Sequence, residues 1–265
     1  MAKQKSKTLL WTKRLLQIIL VAVLILFIYQ NRKYVRRAYR YITHRYYKTN
    51  FKPSDFPDGY EVHGIDVSHF QDVIDWRKLQ AVNTHGDTIN FQFVYIKATQ
   101  GLVIEDEMFD ENWDDARDHH IVRGAYHYFL PDRSPELQAK NFTSTVKLQA
   151  GDLPPAVDVE EVRGKSKDEI VATLKVYLHK IEEQYKVKPI IYSNINFVED
   201  YLADDFEEYP FWISNYYQQE LDPDEGIRWV FWQHSNKADL LGINSNADAD
   251  VFNGSRAQFD SLLVK

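Results

Sequence analysis

The sequence predicts an α/β chain: a modified β/α barrel of eight strands and about five crossover helices, preceded by an N-terminal membrane helix. Three observations carry this prediction. Strand-like apolar runs recur eight times after residue 61. Amphipathic, helix-like segments separate the early runs, and such alternation implies a parallel sheet with crossover helices. Near the N-terminus, one uncharged apolar stretch stands between clusters of Lys and Arg.

That stretch, 15–29, reads LLQIILVAVLILFIY, with Gln17 as its polar interruption. At 1.5 Å rise per residue it reaches roughly 22 Å, short of the ~30 Å hydrocarbon core. Snorkelling of Lys13, Arg14, Arg32 and Lys33 extends the reach. A cleavable signal peptide has an apolar region of the same length. The following Gln30-Asn31-Arg32-Lys33-Tyr34 lacks a small-x-small cleavage site, which favours an uncleaved signal anchor. The expected organisation is a basic cytoplasmic tail at 1–14, a single-pass transmembrane anchor in lipid at 15–29, a basic, Tyr-rich juxtamembrane linker at 30–60 and one folded domain at 61–265. The Lys and Arg count on the two sides slightly favours a cytoplasmic C-terminal side. The function inferred below requires the opposite, and it sets the expected orientation: a domain facing the cell wall or periplasm.

Charge separates the two parts. Residues 1–60 hold 13 of the 32 Lys and Arg and two of the 39 acids, Asp55 and Asp58, which leaves 19 basic and 37 acidic residues in 61–265, a formal charge of −18. Phosphate binding needs a basic face, so no nucleic acid is expected as a partner. With no cysteine in the chain, disulfides, thiol catalysis and Cys-based metal sites are excluded. No cofactor is expected. The 17 Tyr, 15 Phe and 6 Trp suit stacking on sugar rings as well as filling a core.

In order, strands are expected at 62–67, 91–98, 122–129, 156–159, 189–193, 211–216, 229–234 and 249–252. Helices are expected at 76–83, 110–119, 135–146 and 167–185, then a short one at 197–202 and a last at 255–263. The 167–185 helix is the clearest, because Ile170, Leu174, Tyr177, Leu178 and Ile181 fall at helical spacing behind Ser166 as a cap. A doubly wound open sheet is the alternative, and no Gly-rich phosphate loop supports it.

In barrels of the TIM type, chemistry sits at the C-terminal strand ends. The most informative such end is Pro154-Pro155-Ala156-Val157-Asp158-Val159-Glu160. In a strand, residues i and i+2 face the same way, so Asp158 and Glu160 share one space. Two carboxylates forced together separate in pKa, which is what acid/base work on a glycosidic bond requires. Other strand ends carry Asp66 to Gln71, Lys97 to Gly101, Tyr126 to Phe129, Tyr192 to Asn194, Trp212 to Tyr216, Gln233 with His234, and Asp248 with Asp250. Structural rivals stand beside these readings. Asp66 could cap a turn, Lys97 could pair with Asp158 or Asp66, and Tyr126, Trp212 and Trp232 could be core. No helix presents a His-x-x-x-His pair, so His69, His127 and His234 read as lining or hydrogen-bonded residues and no metal site is expected.

From about 61 to 260 the chain resembles glycoside hydrolase family 25, the N-acetylmuramidase lysozymes. The resembling segments are Gly64-Ile65-Asp66-Val67-Ser68 with Gln71, Ile74-Asp75-Trp76, Lys97-Ala98-Thr99, Gly124-Ala125-Tyr126-His127-Tyr128, Pro155 to Glu160, Ile191-Tyr192, Trp212-Ile213 with Tyr216, Trp232-Gln233, and Asp248 ahead of Phe252. The resemblance implies a TIM-like barrel that hydrolyses the β-1,4 bond from N-acetylmuramic acid to N-acetylglucosamine in the glycan strands of peptidoglycan. It implies Glu160 as general acid, Asp158 as its tuning neighbour, Asp66 and Asp248 as further cleft acids, and Tyr126 and Gln233 as substrate-binding residues. Lys97, Tyr192, Trp212 and Tyr216 complete the expected binding surface. Two positions depart from the family pattern: Asp250 stands where Asn is favoured, and Asp72 where Gly is usual. A non-catalytic, membrane-tethered wall-binding barrel and a hydrolase of another polysaccharide are the alternative functions.

Overall fold

The structure, a computed structural model, describes residues 2–32, 34–36, 38, 39, 41, 42, 56–83, 85–216, 218, 220–224 and 226–265. Much of the expected 30–60 linker lies outside the described residues. The chain divides into two units, Met1–Thr49 and Asn50–Lys265. The first contains helix α1, Ala2–Gln30. Its Lys13–Gln30 segment, 18 residues with a mean hydropathy of 1.8, is long and apolar enough to cross a membrane.

The second unit is a closed barrel. Its staves, in order around the ring, are β1 (His63–Val67), β4 (Phe93–Gln100), β6 (Val122–Tyr128), β7 (Ala156–Asp158), β8 (Ile190–Asn194), β9 (Phe211–Ser214), β10 (Trp229–Ala238) and β11 (Ala247–Phe252). β1 pairs with both β4 and β11, which closes the ring. A two-residue strand β5, Ile104–Glu105, folds back on the end of β4. The staves run parallel except β11, which is antiparallel to β10 and to β1. The reason lies in connection length. Residues 239–246 join β10 to β11, and a parallel return needs a crossover of a dozen or more residues. Running backwards, β11 brings its first residues to the rim where the other strands end.

Helices cover the outside of the ring. α2 (Phe109–Asp118), α3 (Pro135–Thr145) and α4 (Lys167–Tyr185) fill successive crossovers. α4 begins in a capping box between Ser166 and Glu169 and buries Ile170, Leu174, Tyr177, Leu178 and Ile181. The β8–β9 crossover starts with a single turn, α5 (Ile195–Phe197), then a π turn and a 3₁₀ turn. α6, Arg256–Leu262, closes the chain behind a Ser255–Gln258 capping box. The helix expected at 76–83 does not form. In its place β2 (Gln80–Val82) and β3 (Thr88–Asn90) make a hairpin. Asn83 is the cause: its side-chain oxygen accepts from the amides of His85 and Asp87, at 3.0 and 2.8 Å, and turns the chain. Such local side-chain bonding competes with helix.

Strand alternation sorts the core into two layers. One set of positions, including Ile65, Val94, Ile96, Val157, Ile191 and Val251, packs against the helices. The other set points into the barrel: Phe93, Tyr95, Ala156, Tyr192, Trp212, Phe231 and Phe252. Tyr95 stacks on Trp212 with centroids 4.8 Å apart, and Phe93 meets Phe231 at 4.9 Å. This aromatic plug fills the barrel floor, so that the site can open only at the rim. Gly64 makes room for it: a Cβ there would sit 2.4 Å from the Phe93 ring.

Candidate active site

The rim carries an open cleft of about 250 Å³ lined by Asp66, Tyr126, Asp158, Glu160, Tyr192, Trp212, Tyr216, Gln233, Asn236 and Asp248. Each inward position follows from the two-residue strand period. Asp66 lies two residues beyond Gly64 on β1, Tyr126 two beyond Gly124 on β6, and Asp158 two beyond Ala156 on β7. Glu160 continues the row past the end of β7. On the reversed β11, Asp248 lies directly opposite Asp66, while Asp250 lies opposite Gly64, one step deeper. Asp250 is completely buried.

A hydrogen-bond chain ties the walls together. Gln233 donates from Nε2 to Asp66 Oδ2 at 2.5 Å. Its Oε1 accepts from the hydroxyls of Tyr192 and Tyr216, at 2.8 and 2.6 Å. Trp212 Nε1 donates to Asp250 Oδ1 at 2.7 Å. Asp158 Oδ1 and Asp250 Oδ2 are buried without a hydrogen-bond partner among the described residues.

Five carboxyls in one small space change each other's proton affinity. Burial holds Asp66 well above the usual carboxylate range, the charges of Asp248 and Asp250 add to this, and the Gln233 bond opposes it. Burial and then Glu160 push Asp158 well up, against the pull of the Lys97 ammonium. Glu160 is raised by burial, opposed by the neighbouring Tyr192 hydroxyl and helped by the charge of Glu161. Asp248 is pushed up to about 7 by burial and the Glu160 charge. Burial raises Asp250 well above its ordinary value, with the Trp212 bond opposing. The set therefore holds its protons to higher pH than free carboxyls do, as a site that must donate one requires.

Nine of the ten residues expected in the site line the cleft. Lys97 does not. Its ammonium donates to Gln100 Oε1 at 2.9 Å and lies 5.3 Å from the Tyr128 ring centroid, from where it acts on Asp158 through its charge. Asn236 lines the cleft without having been expected there. Register shifts after Gln233 and after Ser235 re-aim β10, and a bulge leaves no alternation pattern to read. The histidines lie elsewhere: His69 bonds Asp106 at 2.7 Å, His127 bonds Thr99 at 2.7 Å, and His234 is buried against Phe56. Trp232 packs in the outer core layer, its Nε1 donating to the Asn215 carbonyl at 2.9 Å. Asp72 ends the first rim loop at φ 53°, ψ −147°, a conformation that favours glycine.

The sequence and fold match known proteins over most of this domain. The model of glycosyl hydrolases family 25 matches residues 65–243. The uncharacterized protein YegX of Escherichia coli is 42% identical over 208 residues, covering 78% of this chain and 75% of that protein. Lysozyme M1 of Streptomyces globisporus is 28% identical over 215 residues, covering 76% of this chain and 71% of its own length. Among solved structures, a family 25 glycosyl hydrolase from Bacillus anthracis superposes with a TM-score of 0.71 at 28% identity, covering 80% of this chain and 97% of that one. With a family match across well over half its length, on a barrel whose rim gathers acids and aromatic rings, the chain belongs to glycosyl hydrolases family 25 and is a glycoside hydrolase.

Proposed function

We propose that this chain is a membrane-anchored lysozyme that cleaves the β-1,4 bond from N-acetylmuramic acid to N-acetylglucosamine in peptidoglycan. The observation that supports this most is the meeting of Asp66, Asp158, Glu160 and Asp248 in one aromatic-walled cleft. In this reading Glu160 is the general acid. Burial keeps it protonated to higher pH than an ordinary glutamate, so it has a proton to give to the leaving glycosidic oxygen. Asp158 offers its unpartnered Oδ1 to the acetamido N–H of the substrate. The acetamido oxygen then faces the anomeric carbon and stabilises the charge that develops there, as in substrate-assisted glycosidases. Asp66 and Asp248 add negative potential toward the same carbon. Tyr126, Tyr192, Trp212 and Tyr216 supply ring faces and edges for the sugar rings. The apolar helix holds the enzyme in lipid, with the barrel facing the wall.

The test is mass spectrometry of purified peptidoglycan digested by the full-length protein in mild detergent. Fragments ending in reducing N-acetylmuramic acid support the bond assignment, and chitin treated in parallel should stay intact. Glu160→Gln should abolish release of reducing ends. Near-normal turnover by that variant would remove Glu160 from the acid role, and binding without turnover by the unaltered protein would favour a wall-binding barrel.

A further inference from the structure

The strand that delivers Asp158 stops before Glu160. Val159 is the last residue fixed by the sheet: its amide donates to the Tyr192 carbonyl at 3.0 Å, and its carbonyl accepts from the Ser193 hydroxyl. Among the described residues, no backbone hydrogen bond joins 160–164 to another element; the Lys165 amide donates to the Val162 carbonyl at 2.8 Å and closes a local turn. Helix α4 begins at Lys167. The backbone of Glu160 is thus held by neither sheet nor helix, whereas a group that must reach one glycosidic oxygen needs a fixed place.

Arg163 supplies the tie. Its guanidinium donates from Nε to Asp132 Oδ1 at 2.5 Å and from Nη1 to Glu161 Oε2 at 2.9 Å. Asp132 stands on the loop between β6 and α3, and that loop is itself held. Buried Gln138 accepts from the Leu130 amide at 2.8 Å and donates to the Leu130 carbonyl at 3.0 Å. One side chain therefore joins the residue next to Glu160 to a fixed neighbour. The turn is strained to do so. Arg163 has φ 46° and Gly164 φ 77°, a pair of left-handed residues that suits Asn-Gly far better than Arg-Gly. An exposed ion pair contributes little to stability, so stability does not account for an arginine at this position. Strain beside a site is instead the mark of a group held for positioning.

We infer that Arg163 is a positioning residue: it clamps the loop that carries Glu160 to the loop after β6, and so fixes that carboxyl at the cleft. The clamp also bears on charge. Burial raises Glu160 against the Tyr192 hydroxyl, and the Glu161 charge adds to the rise. Asp158, Asp248, Tyr128 and Tyr216 are the other titratable groups that act on or with Glu160. Arg163 is the cation paired with Glu161. Its loss leaves the Glu161 charge uncompensated and raises Glu160 further. The role of Glu160 as the acid rests on the muramidase reading; the clamp itself does not.

The experiment has two arms on the full-length protein in mild detergent, with Arg163→Gly and Asp132→Ala made singly and together. Arg163→Gly relieves the φ 46° backbone, so a loss of activity in it is not a loss of fold. In the kinetic arm each single variant should lower kcat about 10-fold with little change in KM, and the double variant should fall no further than either. Arg163→Gly should also move the alkaline limb of the pH profile up by about half a pH unit, because the acid works protonated and its proton is held more tightly. In the second arm, deuterium exchange of the 159–166 amides should quicken in Asp132→Ala, whose turn sequence is unaltered, with Tm unchanged. A kcat close to that of the unaltered protein in either single variant overturns the inference, as do losses that multiply in the double variant. Should the unaltered protein fail to release reducing ends, the muramidase reading fails, and the exchange arm decides the clamp: quickened exchange supports it and unchanged exchange overturns it.

Discussion

Asp248→Asn should make the protein more stable as it makes it less active, and the gain should depend on pH. Burial and the Glu160 charge raise the folded-state pKa of Asp248 from 3.8 to about 7. In the unfolded chain the group returns to its ordinary value. Below that value it is protonated in both states and contributes no penalty. As pH rises toward 7 the unfolded chain releases its proton first, so the folded state loses stability progressively and the full penalty stands above the folded pKa. A shift of about three units at 1.36 kcal/mol each is about 4 kcal/mol. Because the cleft acids titrate as a set, removing one releases part of that sum, about 2–4 kcal/mol. The amide keeps nearly the same shape and carries no charge. Urea unfolding of the full-length protein in mild detergent, at mildly acidic and mildly alkaline pH, reads the effect. The variant should match the unaltered protein in acid and exceed it in alkali, while release of reducing ends falls at every pH. A variant destabilised equally at both pH values would refute the reasoning, because Asp248 would then be a paired, stabilising carboxylate rather than a strained one.

Three further outcomes rest on other parts of the barrel. Gln233→Leu removes a bond to the buried Asp66 carboxyl and strands the hydroxyls of Tyr192 and Tyr216; it should cost about 3–5 kcal/mol in urea unfolding, against less than about 1 kcal/mol if the network were only incidental. Asp72→Gly relieves the φ 53°, ψ −147° backbone, and after allowing for the looser unfolded chain it should gain about 1 kcal/mol, read as a rise of about 2–4 °C in Tm. Gly64→Ala drives a methyl to within 2.4 Å of the Phe93 ring; it should cost about 1–3 kcal/mol and lower kcat by displacing Asp66 on the same strand, and unchanged stability would show that the aromatic plug yields.

The positions of the strands and of helices α2 to α4 are legible in the sequence because their signals are local. Helix α4 shows this best: one capping box and one apolar stripe give its two ends and its buried face. The inward row of site residues is equally local, since a two-residue period sets Asp158 and Glu160 on one side whatever lies around them. The hairpin at 80–90 escaped because Trp76 and Leu79, both buried, fall at a spacing that suits a helix as well as a turn, and the decisive bonds of Asn83 involve amides beyond the expected helix. Asn236 escaped because β10 shifts register twice, and a shifted strand has no alternation to follow.

By itself the sequence determined the family, through the resemblance its motifs carry, and it determined the apolar N-terminal helix, the succession of strands and which acids face inward, because periodicity and charge are properties of neighbouring residues. Only the tertiary structure decided that β11 runs backwards, that Asp248 reaches the rim while Asp250 is sealed beneath it, and that Lys97 stands back from the cleft. Those outcomes depend on barrel closure, which pairs β1 with a strand about 180 residues later in the chain. They also set which carboxyls lose water, and loss of water is what turns a row of ordinary acids into groups that keep their protons.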